Sequence, residues 1–200
     1  MSERAVRTPL VEAAREHFIK FFREGSLIYP YLLKHIEEVE KWTLIILEDH
    51  PEADKETVLL SVWLHDIGHT FGDKQIDHAE KSAYETLEFL DQMGASREKI
   101  INVTHCVRSH RCKDVIPNSL EAKILATADS ASHLTDVNYI IHAQEGDLEY
   151  AKGKIRRDLR DIEQFQLLNP KLLEQLQNIG RGWETILANW PFVDTQPFTN

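Results

Sequence analysis

The sequence has little of what marks secreted scaffolds, fibres and membrane-spanning proteins. Its 200 residues include only two cysteines, eight glycines and seven prolines. Two cysteines cannot form the disulfide framework of a small secreted scaffold, and so little glycine and proline excludes a fibre. The longest apolar runs, such as residues 58–64, are far shorter than the roughly 18 residues of a membrane span. The composition favours a soluble globular protein.

Positive charge is also scarce. Lysine and arginine total 23 against 33 acidic residues, which gives a net charge of −10. We therefore expect no stable binding to nucleic acid, whose phosphate backbone attracts basic surfaces. The first ten residues lack the apolar stretch of a signal peptide. With two cysteines that we expect to be free thiols, this predicts a cytoplasmic protein without membrane association.

The hydrophobic pattern predicts an all-α fold. Apolar residues recur every three or four positions along most of the chain, and the alternating runs typical of strands are nearly absent. Asp54, Asp77 (with Glu80) and Ser96 are suitable residues to begin helices. We predict helices over residues 9–23, about 30–48, 54–64, 77–93, 97–111, 118 or 119 to 129 or 134, 145–166 and 170–187. Residues 191–200 are expected to be irregular or extended.

Histidine is the abundant residue, with ten in the chain. His35, the adjacent pair His65 and Asp66, His110 and Asp129 all fall at the ends or on the buried faces of predicted helices. Adjacent side chains on a helix diverge by roughly 100°, so His65 and Asp66 can converge only where the helix ends, at Ile67–Gly68. Mixed nitrogen and oxygen ligands suit Mn, Fe, Ni, Co or Zn better than Mg or Ca.

Four of these residues, in order, resemble the motif of the HD-domain metal-dependent phosphohydrolases, which is a histidine, a His-Asp pair and a distant aspartate. His35, His65, Asp66 and Asp129 match these positions, and the flanking segments VWLHDIGH and LEAKILATADS are also similar to the family. The resemblance covers roughly residues 32–134. It implies a helical bundle in which these four residues bind a divalent metal. We accordingly predict a single domain over residues 1–200, with an HD core at approximately 30–135 and a C-terminal helical extension at 145–190.

Two further histidines are candidate ligands for a second cation. His78 and His110 resemble the additional ligands of two-metal family members, in which the aspartate of the pair bridges both ions. Binding of a substrate phosphate by these two imidazoles is an equal alternative. Helical spacing places His110 on the apolar face of its helix with Val103 and Val107, and His105 on nearly the opposite face.

The resemblance also implies catalytic roles for Asp66, His69 and His110. Asp66 would orient or deprotonate the attacking water, and His69 or His110 would assist the leaving group. His69 occupies a position where many relatives have lysine. The alternative interpretation is that it is a surface residue without a role. The H-D-I-G-H sequence does not indicate a zinc protease, because Asp66 replaces the required glutamate and Gly68 interrupts the helix. His17, His50, His133 and His142 are expected to be solvated or helix-terminal.

Basic residues near these positions are candidates for binding substrate. Arg108 and Arg111 flank His110, and Lys152 and Arg156 belong to one helical row. The alternative for the helical row is ion pairing with neighbouring acidic residues. These features together predict a phosphohydrolase that acts on a nucleotide or another small phosphorylated metabolite, with one or two divalent ions. The alternatives are an HD-like di-iron oxygenase and a nucleotide sensor without turnover, and the oligomeric state is not predicted.

Overall fold

The computed structural model describes residues 7–24, 30–71 and 75–191, and within these ranges it is all-α, as predicted. The described part of the chain forms nine α-helices and no strand. The helices are α1 (Pro9–Glu24), α2 (Leu32–Asp49), α3 (Lys55–Leu64), α4 (His78–Gln92), α5 (Arg97–Ser109), α6 (Leu120–Thr135), α7 (Asn138–Gln144), α8 (Leu148–Phe165) and α9 (Pro170–Ala188), with a 3-10 turn at Ile67–Thr70 between α3 and α4.

Side-chain caps begin several helices where the sequence indicates. The Asp54 carboxylate accepts hydrogen bonds from the amides of Glu56 and Thr57 at the start of α3. Asp77, Ser96 and Ser119 cap α4, α5 and α6 in the same way. Each cap satisfies amides that have no partner within the helix. These caps hold the helix ends that carry the chemistry described below.

The predicted helix over residues 145–166 begins three residues later in the structure, and the short helix α7 precedes it. Gly146 has a φ of +86°, and the amide of Asp147 donates to the carbonyl of His142. This left-handed glycine ends α7, because glycine adopts that conformation without a steric penalty. Of residues 191–200, which we expect to be irregular or extended, residues 192–200 lie outside the described residues.

Helix α3 is at the centre of the fold. All its residues from Thr57 to Leu64 are buried, and they pack with apolar side chains of α1, α2, α5 and α6 in a first core. A second core joins the last turn of α6 to the C-terminal helices through Leu134, Tyr139, Ile155 and Leu176. Helix α6 therefore belongs to both cores. Within the described ranges, no helix is long and apolar enough to cross a membrane.

Candidate metal centre

Four buried side chains from α2, α6 and the end of α3 meet in the first core. The His35 Nε2 atom lies 3.1 Å from Asp129 Oδ1 and 3.7 Å from Asp66 Oδ2. The His65 Nε2 atom lies 3.8 Å from Asp129 Oδ1 and 3.7 Å from Asp66 Oδ2. None of the four residues is more than 9 % exposed. The structure thus brings together the four residues that the HD motif predicts, which we name the first cluster.

The end of α3 explains how adjacent residues share one site. Helix α3 ends at Leu64; His65 keeps helical dihedral angles (φ −63°, ψ −33°), whereas Asp66 has φ −112° and ψ 10°, outside the helical conformation. The chain then tightens into the 3-10 turn Ile67–Thr70. The two side chains consequently converge instead of pointing about 100° apart.

A second cluster of imidazoles surrounds the other carboxylate oxygen of Asp66. The Asp66 Oδ1 atom lies 3.4 Å from His78 Nε2, 3.5 Å from His110 Nε2 and 3.8 Å from His69 Nε2. The rings of His69 and His78 stack with centroids 3.9 Å apart. We name His69, His78 and His110 the second cluster. Asp66 presents one oxygen to each cluster, which is the arrangement of a bridging carboxylate.

Backbone and side-chain acceptors orient the imidazoles. Nδ1 of His65 donates to the Val62 carbonyl at 2.8 Å, and Nδ1 of His110 donates to the Val107 carbonyl at 2.7 Å. Because a carbonyl can only accept, each neutral ring keeps its Nε2 lone pair directed at Asp66 and its neighbours. Nδ1 of His35 faces the Asp136 carboxylate at 3.3 Å. These contacts fix the orientation of all three rings, so that each directs its Nε2 atom at the carboxylates of Asp66 or Asp129.

Several atoms of the site have no hydrogen bond. In the described part of the chain, the buried atoms without a hydrogen-bond partner include His35 Nε2, His65 Nε2 and Asp66 Oδ1. Burying polar atoms without a partner is costly, and a cation at this position would satisfy them. Two groups, His35 with His65 and Asp129, and Asp66 with His69 and His78, have ligand atoms within 4.8 Å of one another. The residues present therefore fit a divalent metal with nitrogen and oxygen ligands.

Electrostatics keep the carboxylates ionised. Burial raises the pKa of Asp66, but the imidazoles of His65 and of the second cluster outweigh it and hold the pKa well below 3.8. Burial likewise opposes ionisation of Asp129, and the contacts with His133 and His35 hold its pKa well below 3.8. Both side chains are anionic at neutral pH and are suited to bind a cation.

The imidazoles divide into two kinds. Burial lowers the pKa of His110 to about 4 and that of His78 to about 3, so both rings are neutral at neutral pH. Burial lowers the pKa of His35 as well, but its contacts with Asp129 and Asp136 outweigh this and raise the pKa to about 10. Burial lowers the pKa of His69. The neutral rings of the second cluster are in the form that binds a metal.

The predicted substrate-binding residues lie in different surroundings. Arg111 pairs with Asp77, the residue before His78, and therefore lies at the edge of the second cluster. Arg108 forms a two-pronged pair with Asp114 in the chain after α5. Lys152 pairs with Glu149 on its own helix at 3.0 Å, and Arg156 is exposed. Of the four, Arg111 is the one placed beside the clusters.

Sequence reasoning missed two residues of the site, His133 and Asp136. We expected His133 to be either solvated or helix-terminal. It lies in the last turn of α6, so the helix-terminal placement is confirmed, and the solvated placement is wrong because the residue is buried. Its Nε2 atom is 3.7 Å from Asp129 Oδ1, and it stacks on His35 at 4.8 Å. A detectable signal was present, since His133 follows Asp129 by four residues and such pairs share a helix face.

The other histidines lie away from the two clusters. His17 pairs with Glu85, and Nε2 of His50 contacts the Leu167 carbonyl. His142 faces Glu145, and His105, on the side of α5 away from the site, is near the Asn118 amide. Cys106 and Cys112 are free thiols.

A family model described as HD domain matches residues 32–134, which include both clusters. The chain belongs to the HD domain family. No curated protein and no solved structure matches the chain. The HD domain generally binds divalent metals, in agreement with the two groups of ligand atoms. The match ends in the last turn of α6, so α7, α8 and α9 lie beyond it.

Proposed function

We propose that this HD-domain protein is a metal-dependent phosphohydrolase that cleaves a phosphate ester of a nucleotide or another small phosphorylated metabolite. The observation that carries the proposal is the position of Asp66, one oxygen of which faces the first cluster and the other the second. Hydrolytic metal centres commonly clamp the attacking and leaving oxygens of phosphorus between two cations.

The ligand sets follow from the two clusters. His35, His65, Asp66 and Asp129 would hold one divalent cation, from among Mn, Fe, Ni, Co and Zn, and Asp66 with His78 and His110 would hold a second. A cation held this way would lower the pKa of water beside it and offset negative charge on a phosphoryl group.

The hydrogen bond to Val107 favours the metal role of His110 over direct contact with phosphate. Because Nδ1 of His110 donates to that carbonyl, the Nε2 atom of the neutral ring is an acceptor. A phosphate oxygen is also an acceptor, whereas a cation accepts the lone pair. The same hydrogen bond makes His110 a poor donor to a leaving oxygen.

The remaining roles belong to Asp66, His69 and Arg111. The Asp66 carboxylate orients the attacking water. Because the pKa of Asp66 is held well below 3.8, we assign the proton of that water to solvent, since a bound cation would lower the pKa of the water toward neutrality. His69, stacked on His78 at the edge of the second cluster, donates to the phosphoryl or leaving oxygen. Arg111, beside Asp77, supplies a positive charge for the substrate phosphate.

The histidine-rich pair of clusters also suits two iron ions, which favours an oxygen-using HD-like enzyme as the second candidate. The two candidates differ in what they consume. Phosphate release with manganese, cobalt or nickel supports hydrolysis, whereas oxygen consumption by the iron-loaded protein supports oxygenase chemistry. Nucleotide binding without turnover in the metal-loaded protein would instead indicate a sensor.

The test is a phosphate-release screen with the purified full chain after metal analysis. We expect release from at least one nucleotide or small phosphate ester, and its loss to background in Asp66→Asn and His110→Ala. His105→Ala is the matched control, because it removes a histidine from the same helix on the side away from the clusters, and it should retain activity. Equal release by Asp66→Asn and the parent would contradict the proposal.

A further inference from the structure

A buried polar group lies where α6 meets the C-terminal helices. The Asp158 carboxylate of α8 is 3 % exposed. Its Oδ2 atom accepts a hydrogen bond from the Tyr139 hydroxyl at 2.7 Å, and its Oδ1 atom accepts one from Lys154 Nζ at 3.2 Å. We name Asp158, Tyr139 and Lys154 the outer cluster. All three residues lie beyond the segment that the family model matches.

His133 connects the outer cluster to the first cluster. Its Nδ1 atom lies 3.7 Å from Asp158 Oδ2, and its Nε2 atom lies 3.7 Å from Asp129 Oδ1. Nδ1 of His133 is buried and has no hydrogen-bond partner. The ring is also fixed by stacking on His35, with an angle of 13° between the planes. One imidazole thus stands between a carboxylate of α8 and a proposed metal ligand.

The charges of the outer cluster agree with an orienting role. Burial opposes ionisation of Asp158, yet Lys154 and His133 outweigh it and lower the pKa of this carboxyl group. Asp158 and Asp129 can only accept, so the His133 ring contacts both carboxylates as a donor in the form that carries a proton on each nitrogen.

His35 has a parallel contact from outside the matched segment. Its Nδ1 atom faces Asp136 Oδ2, and Asp136 is held by the turn into α7, where it accepts from the Asn138 amide. Carboxylates that orient metal-binding histidines in this way commonly set metal affinity. One ligand of the first cluster, His35, is therefore contacted directly by a residue that follows the match, whereas Asp158 reaches Asp129 only through His133.

We propose that α8 positions the metal centre: Asp158, held by Tyr139 and Lys154, orients His133, which in turn orients the Asp129 carboxylate. The inference rests on the proposed function only in taking Asp129 as a metal ligand. It makes Asp158 and His133 positioning residues, and it assigns the C-terminal helices a role in metal binding.

The experiment measures Co²⁺ and Mn²⁺ affinity of the chelator-treated full chain by titration calorimetry. The double variant Lys154→Met/Asp158→Asn removes both charges together, so that neither is left buried without its partner. His133→Phe removes both ring nitrogens and keeps an aromatic ring on His35. We expect each to weaken metal binding by about 10- to 100-fold. A triple variant that combines these substitutions should lose no more metal affinity than the weaker-binding of the two variants, because all three substitutions interrupt the same chain of contacts.

The control is Lys34→Met/Glu37→Gln, which neutralises an exposed ion pair on α2, the helix of His35. It should leave metal affinity unchanged. Parental affinity in Lys154→Met/Asp158→Asn, or losses that multiply in the combined variant, would overturn the inference. If the double variant does not fold, His133→Phe decides alone, since parental affinity in it also overturns the inference. A parent chain that takes up no metal overturns the proposed function as well, so the two failures are distinguishable.

Discussion

At the scale of single residues, the site depends on the close approach of the 3-10 turn to α4. The Gly68 amide donates to the Ser82 hydroxyl at 2.9 Å, and a Cβ at position 68 would meet the His78 carbonyl and lie 2.9 Å from the Ser82 amide. These neighbours are backbone atoms of a capped helix and cannot give way locally. Gly68 therefore lets His69 and His78 stack beside Asp66.

Gly68→Ala should destabilise the protein by about 1 to 3 kcal/mol, the cost of inserting a methyl group into a packed core. It should also weaken metal binding, because His78 must move. Urea unfolding and calorimetric metal titration measure the two effects. Gly182→Ala is the control, since a Cβ there has no atom within 4 Å and alanine is favoured over glycine by up to about 1 kcal/mol within a helix. A Gly68→Ala protein as stable as the parent would contradict the claim that the space between the 3-10 turn and α4 cannot hold a Cβ atom at position 68.

The residues of the first cluster could be predicted because the HD motif is defined by the order of its residues along the chain and by the segments that flank them. The convergence of His65 and Asp66 required only a helix end after them, which Gly68 signalled. Asp158 could not be predicted in the same way, because its meeting with His133 depends on how α8 packs on α6. His133 itself was within reach of prediction through its spacing from Asp129.

At the scale of helices, capping residues made most boundaries predictable. Where the sequence offered a clear cap, as at Asp54 and Ser96, helix and prediction begin at the same place. Helix α7 was not predicted, and the helix predicted from residue 145 begins at Leu148, although Gly146 and the capping residue Asp147 both signal that later start. The dense charge of residues 145–166 favoured a helix from the first charged residue and concealed the turn. Local chemistry therefore fixed the helix ends more reliably than periodicity did.

The cap of α3 allows a test with a pH dependence. Asp54 caps α3 and also pairs with Lys99 of α5 at 2.6 Å. Asp54→Ala should cost about 1 kcal/mol of unfolding free energy at neutral pH, the usual effect of losing an N-cap. Asp54→Ser, which keeps a capping oxygen, should recover most of this loss. Urea unfolding of the three proteins measures the difference.

The sign of the pH effect follows from the pKa of Asp54. Burial raises this pKa, but Lys99 and Thr57 outweigh it and lower the value below 3.8. A group whose pKa is lower in the folded state stabilises the fold above its unfolded pKa, and this stability is lost as pH falls through the folded pKa. The gap in unfolding free energy between parent and Asp54→Ala should therefore be constant above about pH 5 and narrow as the pH falls through the folded pKa, which lies below 3.8. A gap that also stays constant below about pH 5 would mean that the charge of Asp54 contributes nothing.

At the scale of the whole molecule, α6 joins the two cores. Its middle packs with α2 and α3 around Asp129, while Ala131 and Leu134 in its last turns pack with the C-terminal helices. We propose on this basis that residues 1–200 form a single domain, with the HD core at approximately 30–135 and the helical extension at 145–190. A helix shared by two cores should make them unfold together.

Leu176→Ala tests this coupling from the helix farthest along the chain. Leu176 of α9 is fully buried in the second core, so its truncation should cost about 2 to 5 kcal/mol, whereas Ile179→Ala at a 38 % exposed position of the same helix should cost far less. Hydrogen exchange in low denaturant reports the opening free energy of each helix separately. If α6 makes one cooperative unit, Leu176→Ala lowers the opening free energy of α3 and of α9 by the same amount. A loss confined to α9 would show that the C-terminal helices unfold on their own, and the metal centre would then keep its ligands while losing Asp158.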